Sequence, residues 1–132
     1  PGVFDAPMGN ADVMPTLLDL AGVPVPPSVQ GASYVPVLRG EKQRVAEGVL
    51  SCGWSKESRR YRHMSLHSDA WRLTWWPELG EGELYDLRSD PYELENVYHL
   101  DEYLPEREWL KEKLLHAYAA AGPLEPHVLC NW

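Results

Sequence analysis

Apolar positions recur along this chain in two rhythms, one helical and one extended. In "DVMPTLLDLAGVPVPP" (12–27), Val13, Met14, Leu17, Leu18, Leu20 and Ala21 form a wide apolar face, while Asp12, Thr16 and Asp19 share one polar stripe. Asp12 is a good N-cap, and Pro15 is tolerated because first-turn amides have no intrahelical acceptor. Gly22 supplies a stop, and Pro24, Pro26 and Pro27 cannot continue a helix. The pattern predicts a short helix over 12–21, mostly buried. Residues 23–44 read as a proline-rich loop.

The rhythm then shortens. Segments 44–51, 59–66, 70–77 and 83–87 have strand length and are separated by turn residues. "AWRLTWW" alternates most cleanly, with Trp71, Leu73 and Trp75 on one face and Arg72, Thr74 and Trp76 on the other. Such close spacing predicts antiparallel neighbours, because parallel strands need long crossovers. From about Pro105 to Ala121 the helical period returns, with Leu110, Leu114, Ala117, Tyr118 and Ala121 on a single stripe, closed by Gly122-Pro123. The fold class is therefore α+β: a small antiparallel sheet of about four strands packed by a C-terminal helix, with an N-terminal helix and proline-rich loop attached. The expected division is 1–44 for the helix and linker and 45–132 for the sheet and second helix.

Composition narrows the partners. The 132 residues are one ordinary domain, and 44% hydrophobic content suffices for a core without staples. A formal net charge of −8 argues against nucleic acid or an anionic membrane surface as partner. No apolar run reaches the roughly 18 residues that a membrane span needs. A chain opening on Pro1 reads as a piece of something longer, and no leader peptide is visible in "PGVFDAP". Cys52 and Cys130 form neither a CxxC pair nor a zinc pattern; they leave a disulfide, and the compartment, open.

Chemistry is sought first in the acidic stretch "GELYDLRSDPYELENV" (82–97). Read as an EF-hand loop from Asp86, it places Arg88, Pro91 and Val97 where an oxygen ligand, a Gly and a Glu are required. Glu83 and Asp86 lie three apart on a strand and so point to opposite faces. Asp90-Pro91 more simply makes a turn, which Asn96 could follow with another. Cys52, beside Gly53 and Trp54, has no activating neighbour in sequence beyond Lys56. His63 and His67 have the i, i+4 spacing of helical metal ligands, but their context is strand and turn, and two His alone do not complete a zinc site. Arg59, Arg60, Arg62, His63 and His67 form the cation-rich patch of an acidic chain. It could receive an anionic substrate group or an acidic partner, or simply solvate a strand edge.

Two blocks in order, "DVMPTLLDLAGVPVPPSVQGASYVPVLRG" and "WRLTWW…GELYDLRSDPYELENV", resemble the C-terminal region of type I sulfatases, in the alkaline phosphatase superfamily. The resemblance spans about Asp12 to Leu115. It implies a parent whose large α/β domain holds calcium and a formylglycine nucleophile made from a C-x-P/A-x-R motif. It also implies a smaller antiparallel subdomain that closes one side of the cleft. Cys52 stands in "CGWSK", without the Pro/Ala and the Arg, and the acidic metal set does not occur in these residues. No catalytic, cofactor or metal residue is therefore carried over. What carries over is structural: Asp12, Pro15, Thr16, Gly22, Gly31, Leu84, Tyr85, Asp86, Asp90, Pro91 and Asn96.

The expected function is a sulfatase C-terminal subdomain, cleft-closing and not catalytic alone. The alternatives are a free-standing binding or assembly module, or a small enzyme using His63, His67 or Cys52. The expected partner is the remainder of the sulfatase catalytic domain or, without it, a second copy docked through the helix at 12–21.

Overall fold

The computed structural model describes residues 2–54 and 62–120. In chain order it contains α1 (Val13–Leu20), α2 (Val35–Leu38), β1 (Gly48–Trp54), β2 (Arg62–Ser68), β3 (Trp71–Trp76), β4 (Glu81–Asp86) and α3 (Leu104–Ala120). The four strands form one antiparallel meander, each strand beside its sequence neighbour. The class is α+β, as the two rhythms predict. Among the described residues no helix is long and apolar enough to cross a membrane.

The core lies between one face of the sheet and α3. Leu66, Trp71, Leu73 and Leu84 meet Leu110 and Leu114 there, with Val97 and Tyr98 closing one side. Leu73, Leu84 and Leu114 are wholly inaccessible. Trp71, Leu73 and Trp75 share the face predicted by alternation, and Trp75 packs at the margin of the core. Trp71 meets Tyr103 edge-to-face at 6.1 Å, a favourable aromatic geometry. Tyr118 packs against the cluster from the far end of α3, while Ala121 lies outside the described residues.

Several boundaries differ from expectation: β2 runs to Ser68 rather than 66, and β4 begins at Glu81 rather than at 83. β1 begins at Gly48 rather than at 44, and it runs on through Cys52 and Gly53 to Trp54. Gly53 does not break it: the His63 imidazole of β2 lies over Gly53, and an added Cβ would stand 2.4 Å from His63 Cε1. Arg44 and Glu47, read as strand, instead reach out to Asp69 and Lys113 as ion pairs. The proline-rich loop contains a short helix, α2, in which Val35 and Val37 are buried, as is Tyr34 just before it.

The largest correction concerns α1. The sequence predicts a mostly buried helix, yet Val13, Met14, Leu17 and Leu20 are 44–61% exposed. The side turned inward carries Pro15, Thr16 and, in part, Asp12, while Asp19 stays exposed. Thr16 is buried; its hydroxyl donates to Asp12 O at 2.6 Å and accepts from Tyr34 N–H at 3.0 Å. Asp12 does not cap α1 with its side chain. Its carboxylate accepts from Gly9 N–H and from Ala32 N–H, both at 2.8 Å, and so binds the "QGASY" turn. Asp19 accepts from the Ser33 hydroxyl at 2.5 Å. Gly31, at φ +90°, must be glycine: a Cβ would fall 2.4 Å from Ala11 O. The C-terminus of α1 is as predicted. Gly22 N–H and Val23 N–H bond back to Asp19 O and Leu18 O, the paired closure of a Schellman motif.

Candidate functional site

The acidic stretch is built into the fold one carboxylate at a time. Asp86, the last residue of β4, receives Arg88 through two hydrogen bonds at 2.7 Å, and this guanidinium holds its carboxyl below the usual range. Asp90 accepts from Glu95 N–H at 2.9 Å, and such backbone donors likewise depress its pKa. Asn96 closes the β4 edge. Its Oδ1 accepts from Leu84 N–H and Tyr98 N–H, both at 3.0 Å, and its Nδ2 donates to Gly82 O. Glu93 sits at φ +57°, the one non-glycine residue with positive φ among those described. A left-handed backbone costs a residue with a Cβ on the order of 1–2 kcal/mol. Here it places the carboxylate for a two-pronged contact with Arg72 Nη1, at 2.9 and 2.6 Å.

The register of the meander decides what shares the face opposite α3. Ser51, Ser65, Thr74 and Glu83 form one cross-strand row, and Val49, His67, Arg72 and Tyr85 form the next. Ser65 and Thr74 are buried, with their hydroxyls 2.8 Å apart, and Ser65 donates to Leu73 O. The irregular N-terminal segment contributes Asp5, Pro7 and Met8 to this face. Tyr34 fastens it by donating its hydroxyl to Pro7 O, and burial, aided by the Asp12 charge, raises that phenol's pKa. Between this segment and the sheet lies an open groove of about 420 Å³, lined by Asp5, Ser51, Ser65, His67, Asp69 and Arg72 among others.

The predicted cationic patch is divided by this geometry. Arg59 and Arg60 lie outside the described residues. Arg62 and His63 are adjacent on β2 and point to opposite faces. Arg62 bonds Glu78. His63 lies beside Trp76, ring centroids 6.3 Å apart, and His67 lines the groove two rows away. Arg72, not singled out in the sequence, is the cation that joins His67: the two are register partners across β2 and β3. The two-residue turn between Ser68 and Trp71 could have disclosed this pairing. Cys52 is exposed on edge strand β1, and partial desolvation raises its thiol pKa, the opposite of what a nucleophile requires. Cys130 lies outside the described residues. Among the described residues no three His, Cys, Asp or Glu side chains converge as a metal site would need.

A meander backed by one long helix, preceded by a helix that grips a Gly-turn through polar side chains, is the architecture this chain shares with solved sulfatases. The chain belongs to the family of N-sulphoglucosamine sulphohydrolase C-terminal domains, which it matches over residues 2–120. It is 32% identical over 111 residues to an N-acetylglucosamine-6-O-sulfatase of Bacteroides thetaiotaomicron, covering 80% of this chain and 20% of that protein. It is 28% identical over 114 residues to an arylsulfatase of Clostridium perfringens, covering 86% and 23%. Among solved structures, a protein in complex with its substrate D-glucosamine-2-N,6-O-disulfate superposes with a TM-score of 0.73 at 28% identity, over 87% of this chain and 24% of that one. A phosphonate monoester hydrolase of Agrobacterium radiobacter gives 0.68 at 25% identity, over 83% and 24%. The chain thus spans 18–23% of the length of four sulfatases it matches: the N-acetylglucosamine-6-O-sulfatase and the arylsulfatase above, together with a Delta 4,5-hexuronate-2-O-sulfatase of Bacteroides thetaiotaomicron and a choline-sulfatase of Rhizobium meliloti.

Proposed function

We propose that this chain serves as the C-terminal subdomain of a sulfuric ester hydrolase, closing one side of the substrate cleft and contributing no nucleophile. The observation that carries this reading is the inversion of α1. Its polar stripe is spent on the 31–34 turn, and Val13, Met14, Leu17 and Leu20 stand exposed on its outer side. Each such side chain forgoes roughly 1.5–3 kcal/mol when left uncovered. A helix with that face is made to be covered. Relatives about four times the length of this chain have room for such cover, which we assign to the catalytic α/β portion of a sulfatase.

The chemistry assigned to the whole protein is hydrolysis of a sulfate ester. The sulfatase relatives share that bond and differ in the alcohol, which is a sugar in two and choline in another, whereas the phosphonate monoester hydrolase shares the fold and is named for a different ester. Calcium and the formylglycine nucleophile would belong to the catalytic portion. The test is turnover of 4-nitrophenyl sulfate with calcium present. The purified 132-residue chain is expected to give none, and a catalytic portion ending before residue 12 is expected to gain activity when the chain is added in trans. Turnover by the chain alone, abolished by chelator, would overturn the assignment. So would a catalytic portion fully active without it.

A further inference from the structure

We propose that the groove on the face of the sheet opposite α3 binds one uncharged, hydroxyl-bearing sugar ring, and not a sulfate group. This deepens the reading above and rests on it for the kind of substrate concerned. The groove's floor is preformed. Ser65 and Thr74 are buried beneath it and bonded to each other, and Ser68 both donates to Trp71 O and accepts from Trp71 N–H. Above that floor stand His67 and Arg72, one row along the sheet. Facing residues lie about 5 Å apart, and same-face rows about 7 Å apart, so the four positions frame an area comparable with a single pyranose ring. A volume of about 420 Å³ is within the range of small-molecule sites.

Charge decides between the two parts of a sulfated sugar. The cations near the groove are already answered: Arg72 by the two-pronged contact from Glu93, and Arg44 by the lining residue Asp69 at 2.5 Å. Asp5 adds a further carboxylate to the lining. A sulfate entering here would meet two lining carboxylates, Asp5 and Asp69, and a lining guanidinium, Arg72, whose charge Glu93 already answers. Sugar hydroxyls, which donate and accept in turn, suit this mixture: carboxylates accept, guanidinium donates, and serine and imidazole can do either. The strained backbone of Glu93 has a use in the same terms. It fixes the Arg72 plane, so that the N–H groups not spent on Glu93 are presented in one orientation. Arg72 is thus a ligand-contacting residue and Glu93 its positioning residue.

The experiment is an amide-resolved NMR titration of the 132-residue chain with N-acetylglucosamine, with N-acetylglucosamine-6-sulfate, and with sodium sulfate at matched ionic strength. Saturable shifts are expected at the amides of Ser65, His67 and Arg72 with both sugars. Sulfate alone should leave them in place. His67→Ala, at an exposed position, should keep the fold and weaken binding about fivefold, the worth of one hydrogen bond. Ser51→Ala, exposed on the same lining, provides a second variant with the same expectation. Sodium sulfate producing the same shifts would overturn the proposal in favour of an anion site. So would sugars that move no amide in the groove. Neither outcome touches the turnover and in-trans measurements that test the sulfatase assignment.

Discussion

The N–H of Tyr34 donates to the Thr16 hydroxyl at 3.0 Å, and both residues are buried. One side chain therefore joins the first helix to the turn that begins α2. Thr16→Val keeps the volume and removes the acceptor, leaving a buried donor unpaired at a cost of about 1–3 kcal/mol. The expected outcome is a loss of hydrogen-exchange protection at the Tyr34 amide while amides of β3 are unaffected. Protection equal to the parent chain would show that the contact contributes nothing.

The two apolar faces of the molecule should respond oppositely to substitution. Leu114→Ala in the core beneath the sheet should cost about 2–5 kcal/mol, as filled core sites do. Leu17→Asp on the outer face of α1 should change the stability of the chain by less than about 0.5 kcal/mol at concentrations too low for copies to associate. Urea denaturation of both variants checks the pair. The reverse ranking would mean that α1 is covered within this chain.

The same helix makes a prediction about mass. Without a catalytic portion, its uncovered face should pair two copies of the chain, the two-fold arrangement being the commonest for one self-complementary patch. Sedimentation across a concentration series should show association that Leu17→Asp abolishes. A parent chain that stays monomeric throughout would contradict it.

Asn96 offers a third structural test. Its carboxamide serves Leu84 N–H, Tyr98 N–H and Gly82 O together. Asn96→Ala removes all three partners at the edge of β4, with an expected loss of about 1–3 kcal/mol in urea denaturation. A loss under about 0.5 kcal/mol would mean that water replaces the amide freely there.

Acid should weaken the fold through the same stretch. Asp86 is held below its ordinary pKa, chiefly by the Arg88 hydrogen bond, so the folded state binds its proton less readily than the unfolded one. Its contribution is fully present above the unfolded value, near 3.8, and is lost as the pH falls through the lower folded value. The urea midpoint should fall as the pH is lowered from about 5 to about 2. Asp86→Asn should lessen that fall, and an identical fall in the variant would remove Asp86 from the account.

Sequence patterning read the sheet and α3 well because their cover lies within the chain. Trp71, Leu73 and Trp75 alternate toward Leu110 and Leu114, and both patterns end where the core ends. It misread α1 for the complementary reason. An apolar stripe announces that something must cover it, but not that the cover belongs elsewhere, nor that Thr16 and Asp12 would face inward to reach residues about twenty positions on. At the candidate groove, His67 was visible as a residue type, whereas Arg72 required the register of a hairpin. Glu93 at φ +57° could not be read at all, since nothing in "DPYELEN" demands a left-handed glutamate.

The order of the strands has a consequence for how the molecule is made. Every pairing in the sheet joins sequence neighbours, so no long loop must close before the first hydrogen-bonded ladder forms. Low contact order of this kind favours rapid folding. The hairpin of β2 and β3, turning on two residues, is placed to form first and to template β1 and β4 on either side. In a long polypeptide, such a unit can reach its shape on its own clock, presenting a finished surface to slower neighbours.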